Sequence, residues 1–221
     1  MFVGHYAASL ALKSVEKTAS LGLLFLAVQF VDILFFPLVL LGVERMNIIE
    51  NYTASTHFEL VFMPFTHSLV ASFLWAGLVY AIIRLIPSKL VVKKRSIALV
   101  VSAGVLSHWF FDLIVHTPDL PLLGDHSLKL GFGLWNNAMA TYVLEAVLLI
   151  AGLWLYLKST KSHNAIGRFG MIGFVVFLLI VNVLNIFGPL ADDSVAGVAI
   201  SALVSYFLFA GIAFWLDKKR D

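Results

Sequence analysis

Apolar residues along this chain come in long unbroken runs, not in the alternating or striped patterns of a water-soluble fold. Crossing a bilayer takes about 20 residues of helix. Six stretches approach or exceed that length: residues 20–41, 66–86, 96–115, 134–157, 170–188 and 194–216. A span surrounded by lipid must satisfy its own backbone hydrogen bonds, so all six are predicted as helices. A seventh apolar stretch, residues 3–17, is too short to cross. It reads as a re-entrant or interfacial helix. The expected fold is all-α: a polytopic membrane bundle of about six transmembrane helices plus a short N-terminal helix, forming one domain over residues 1–221.

Composition agrees with this pattern. The chain is 61% hydrophobic and 13% charged, about half the charged fraction of a soluble domain. It has no cysteine, which excludes disulfides, thiolate metal sites and a cysteine nucleophile. The opening "MFVGHYAASLALKSVEK" carries its lysines after the apolar part, which is a poor match to a signal peptide.

The distribution of charge says more than its sum. Alternating spans put Lys13, Lys17, Arg84, Lys89, Lys93, Lys94, Arg95, Lys158, Lys161, Arg168, Lys218, Lys219 and Arg220 on one side. Only Arg45 and Lys129 fall on the other. The positive-inside rule makes the first side cytoplasmic, with both termini there and the long loops 42–65 and 116–133 outside. Glu44, Glu50, Glu59, Asp119, Asp125, Asp192 and Asp193 then face outward. The run "KLVVKKR" is an orientation signal and a contact for anionic lipid, not a nucleic-acid patch.

Against this apolar background each ionisable residue within a span needs a reason. Asp32, His108 and Asn182 each lie 12 residues in from the cytoplasmic end of their spans, and Glu145 lies 12 residues before the inner end of its own. At the helical rise that is a depth of ~18 Å, a single layer just past the bilayer centre. Folding the short N-terminal helix back at residues 18–19 brings His5 to the same level and predicts a His5–Asp32 pair. Pro37, five residues after Asp32, is a candidate kink.

The stretch "SHWFFDLIVHTPDLP" adds His108, Asp112 and His116 in four-residue steps, hence on one helix face climbing toward the outer surface. His67 opens its span near the level of His116. One reading is a structural network of interhelical hydrogen bonds; the other is a metal or catalytic site. Three such residues at this spacing, level with Asp32, His67 and Glu145, favour the site. Histidine and carboxylate donors without thiolate suit a divalent metal, zinc first, with manganese or iron as alternatives. Asp112 or Glu145 is the candidate base, although a bond from Glu145 to Asn182 would explain that pair structurally. Asn136 and Asn137 fit helix capping as well as substrate binding. His57, Asp119 and His126 read as solvated loop residues.

These residues also carry a resemblance. "MFVGHYAASLALK", the span around Asp32, "FMPFTHSLVASFLWAG", "LSHWFFDLIVHTPDLPLL", "GFGLWNN" and "YVLEAVLLIAGLWLYLK" resemble the bacterial membrane-bound metal-dependent hydrolases, the YdjM-like inner-membrane group. The likeness runs to about Lys158. That family is itself distantly similar to zinc-dependent phospholipase C. The chain departs from its relatives at Met63, where they often carry an extra aromatic residue or histidine. The resemblance implies a metal held by His5, Asp32, His67, His108 and Asp112. It also implies a phosphoester or other hydrolytic reaction at a bacterial inner membrane, and a site that opens between helices and outward makes a lipid or lipid-linked phosphoester the natural substrate. The rival is a proton- or metal-ion-translocating protein using the same His/Asp/Glu layer. A scaffold protein with a buried polar network is a third reading.

Overall fold

The computed structural model describes residues 1–86, 94–190 and 192–220. Lys89 and Lys93 of the predicted basic loop lie outside the described residues. The chain is mostly helical: α1 (His5–Val15), α2 (Leu21–Val28), α3 (Phe30–Leu40), α4 (Leu69–Leu85), α5 (Lys94–Val115), α6 (Ala138–Ser159), α7 (Ala165–Phe187) and α8 (Val195–Asp217). Side-chain oxygens start five of them. Ser20, Ser68, Asn137, Asn164 and Ser194 each accept from a backbone amide three residues on.

Four helices, α5 to α8, are long and apolar enough to cross a membrane, and α2 with α3 makes a fifth if the pair is one span. The expected single span over residues 20–41 is therefore corrected. It bends by 51° at Gln29. Pro37 does not cause the bend, since α3 runs through it. Neither glycine nor proline stands at the break, which is held by tertiary bonds. Gln29 Nε2 donates to the Phe2 carbonyl at 3.3 Å, and the Val28 carbonyl lies 2.7 Å from His108 Nδ1. Gln29 is fully buried, where irregular backbone at membrane depth is tolerated. At 17 residues α4 is shorter than the four clear spans.

The two long loops are not wholly irregular. Within 42–65, β1 (Arg45–Ile48) pairs antiparallel with β2 (Phe58–Phe62). Within 116–133, β3 (Leu120–Pro121) pairs with β4 (Lys129–Leu130). These hairpins cap one end of the bundle, here the loop end; the basic residues gather at the other.

The short helix α1 packs inside the bundle against α2, α5 and α6. Its residues Tyr6 and Leu10 are fully buried with Phe25, Leu149 and Leu178. Gly152 of α6 permits this. A Cβ there would stand 2.7 Å from the Ala7 carbonyl oxygen and 3.0 Å from its Cα. Helices α7 and α8 meet through Met171–Leu178 and Phe209–Leu216, toward the basic end. Arg220 ties that end by donating to the Gly167 carbonyl at 2.6 Å.

Candidate metal centre

Four helices and their ends deliver the polar layer. His5 opens α1, and Asp32 sits in the first turn of α3, where the helix dipole favours a carboxylate. His67 precedes the capping Ser68 of α4. His108 and Asp112 share a face of α5, and His116 follows its last residue. His5, His67, His108, Asp112 and His116 are all buried.

Their side chains converge. His67 Nε2 is 3.3 Å and His108 Nε2 3.5 Å from Asp32 Oδ1. His108 Nε2 is also 3.0 Å, and His116 Nε2 3.5 Å, from Asp112 Oδ2. His5 Nε2 lies 3.1 Å from Asp112 Oδ1, and its ring stacks on His108 at 3.9 Å between centroids. The expected His5–Asp32 pair is thus corrected: α1 does fold back on α2, but the carboxylate that meets His5 comes from α5.

The far side of three imidazoles fixes their tautomers. His108 Nδ1 faces the Val28 carbonyl, which can only accept. His116 Nδ1 faces the Asp119 carboxylate at 2.8 Å. Thr66 Oγ1 donates its one proton to Glu44 Oε2 at 2.7 Å, so at 2.8 Å from His67 Nδ1 it accepts. In each neutral ring the proton sits on Nδ1 and the lone pair on Nε2, and all three Nε2 atoms turn toward Asp32 and Asp112. Metal-binding histidines are oriented in this way by acceptors on the distal nitrogen.

The spacing fits as well. His108 Nε2 lies 3.0 Å from Asp112 Oδ2 yet has no hydrogen-bond partner, because the direction from ring to oxygen is wrong for one. Two ligands of one ion would show this: close to each other, but aimed at a third point. Tetrahedral donors at ~2.0–2.1 Å from zinc stand ~3.3 Å apart. Among the described residues two groups bring three donors within 4.8 Å of one another, His5–His108–Asp112 and Asp32–His67–His108. They share His108, whose single free nitrogen serves one ion at a time. The second group has both its imidazoles anchored, whereas His5 Nδ1 has no partner.

A cavity of about 390 Å³ opens from this centre. Asp32, His67, Asp112, His116 and Glu145 line its polar end. The Glu145 carboxylate accepts from the Gly4 amide at 2.9 Å and the Phe2 amide at 3.2 Å, so it anchors the start of α1. The chain's terminal amine lies 2.6 Å from Asp112 Oδ1. Burial alone would lower the His116 pKa, but the Asp112 and Asp119 carboxylates outweigh it and raise it.

Asn182 is buried, but neither of its side-chain polar atoms has a partner, so it does not bond Glu145. Asn137 caps α6 through Ala140. His57 accepts from the Asn51 amide in the loop between β1 and β2. Asp119, expected as a solvated loop residue, is instead the partner of His116. Sequence reading also missed Glu44, placed facing outward but fully buried on Thr66, and Tyr206, whose hydroxyl donates to Asp32 Oδ2 at 3.0 Å. A threonine directly before a span-opening histidine is the one local signal that pointed there. The chain matches no family model, no curated protein and no solved structure.

Proposed function

We propose that this chain is a membrane-embedded metal-dependent hydrolase of a lipid or lipid-linked phosphoester. The observation that carries the reading is the set of three imidazoles, each anchored through Nδ1, whose Nε2 atoms turn to the same two aspartates. Asp32, His67 and His108 would hold one divalent ion, zinc first. Three protein ligands leave a position open, as in catalytic zinc sites. Such an ion supplies Lewis acidity, polarising the phosphoester and acidifying water. Asp112 faces the cavity between His5, His108 and His116 and takes the proton. His116 lies beside it, with Nε2 3.5 Å from Asp112 Oδ2, and His5 fixes the other Asp112 oxygen. Glu145 holds α1 in place. Asp32, Asp112 and Glu145 balance a divalent cation and the terminal amine, which lowers the cost of a polar centre inside the bundle.

The resemblance to the membrane-bound metal-dependent hydrolases supports the same reading. So does the apolar packing of Leu10, Leu21, Phe25, Leu149 and Leu178 beneath the site, which sets hydrocarbon in the way of a translocated ion. In this reading α2–α3 and α4 complete six crossings of a bacterial inner membrane. The basic end is cytoplasmic, both termini are there, and the site opens to the other side.

Elemental analysis of the purified protein tests the proposal. About one zinc or equivalent per chain is expected, falling at least ~10-fold in His108→Ala and Asp32→Ala. Chelation should abolish hydrolysis of a soluble phosphodiester. Wild-type protein that holds no metal, or variants that keep it, would overturn the reading.

A further inference from the structure

The cavity at the metal centre is not confined to polar walls. From Asp32 and His67 it runs past Phe35 and Phe36 to reach Val181 and Leu184 of α7 and Val198 and Ala202 of α8. These two helices are clamped at the basic end. A Cβ on Gly170 would stand 2.6 Å from Leu216 Cδ2, Arg220 grips the Gly167 carbonyl, and Phe209 meets Phe174 and Phe177 ring to ring. Toward the loop end the cavity lies between them, with Val181 and Leu184 on one wall and Val198, Ala202 and Ser205 on the other. Val198 and Ala199 pack instead in a cluster with Phe35, Phe36 and Trp109 that contains no α7 residue. No hydrogen bond among the described residues joins 176–187 to 195–208. The helices therefore diverge as they approach the site.

The slit between them is open to the side. Leu184 lines the cavity and is nonetheless 67% exposed, so cavity wall and outer helix surface meet there. Its neighbours on that surface, Ile180, Phe187, Ile200 and Val204, are exposed and apolar, as lipid-facing residues are. A cleft that is charged at its buried end and lined by Val181, Leu184, Val198 and Ala202, with the neutral Asn185 and Ser201 among them, toward its lateral opening matches an amphiphile held head inward. Its volume lies within the range of small-molecule sites. It thus takes a headgroup and the first part of a chain, with the rest left in the bilayer.

We infer that the hydrocarbon chain of a membrane lipid occupies the slit between the loop-end halves of α7 and α8, so that the lipid reaches the centre sideways without leaving the membrane. The inference rests on the proposed hydrolase for the identity of the reacting headgroup, but not for the binding of the chain.

Photolabelling decides it. The full chain is placed in vesicles containing a phospholipid with a diazirine on one acyl chain, illuminated, and its adducts mapped by peptide mass spectrometry. Adducts at 181–185 and 198–202 should exceed those on the outward residues Leu74 and Val147 by about tenfold. Ala202→Trp should remove the excess by filling the slit, with metal content unchanged. Leu184→Trp, on the other wall and already exposed, should do the same even if the first variant misfolds. Adducts spread evenly over the outer faces, or an excess indifferent to both tryptophans, would overturn the inference. Hydrolysis of a soluble phosphodiester without slit labelling would overturn it and leave the hydrolase standing. Slit labelling without any hydrolysis would support it and sink the hydrolase.

Discussion

Thr66 shows how much of the centre depends on residues that touch no ion. Its hydroxyl has one proton, given to Glu44, and so must accept from His67 Nδ1. Thr66→Val keeps the shape and deletes the acceptor. The Nδ1 proton is then left without a partner in a buried site, and the ring can turn or change tautomer. Metal affinity in this variant is expected to fall about 10–100-fold, the usual cost of losing such a partner. Thr66→Ser should restore it, as measured by competition with a chromogenic chelator. Undiminished affinity in Thr66→Val would remove the relay from the mechanism. The histidines and aspartates themselves were legible because charge inside an apolar span is costly and stands out. Glu44 and Thr66 were not. They lie in or beside a long loop, where polar residues are ordinary, and only the folded hairpin brings them to His67.

At the scale of elements, the helices followed from the apolar runs. The break at Gln29 did not, because no local residue marks it. Its causes are a bond from Gln29 to Phe2 and one from His108 to Val28, both distant in sequence. The hairpins were hidden because alternation is short: only Met46 of β1 is buried. Insertion of α1 has a sharper cause, the bare Gly152 against Ala7. Gly152→Ala should force the two helices apart and cost about 1–3 kcal/mol, the usual range for overpacking. For a chain of this length that is roughly 3–10 °C in Tm. Displacing α1 also loosens His5 and the amides held by Glu145, so metal should be lost with stability. Gly173→Ala is the control. A Cβ there meets nothing within 4 Å, and its Tm should stay within about 2 °C of wild type. Equal behaviour of the two variants in a thermal scan in detergent would deny the close approach of α1 to α6.

The whole molecule is asymmetric along its long axis, and the asymmetry predicts which way it sits. The loop end carries the polar centre and both hairpins. The other end is sealed. Lys13 Nζ donates to Asp217 at 2.7 Å and to the Ala19 carbonyl at 2.8 Å, Tyr156 donates to the same Asp217 at 3.1 Å, and Arg220 binds Thr160. Above this lock lies a continuous apolar cluster from Leu21 to Leu178. The basic residues are concentrated at the end away from the polar centre, and this charge bias predicts that this end is the one retained in the cytoplasm. The chain has no cysteine, so single cysteines report position without background. A cysteine at Asp125, in the turn between β3 and β4, should react in intact cells with a membrane-impermeant maleimide. A cysteine at the exposed Lys161, between α6 and α7, should react only after the membrane is opened. Reversed labelling would place the centre toward the cytoplasm and make its substrate one of the inner leaflet. Labelling of both sites in intact cells would mean that α6 does not cross, and the bundle would have to be rebuilt around fewer spans.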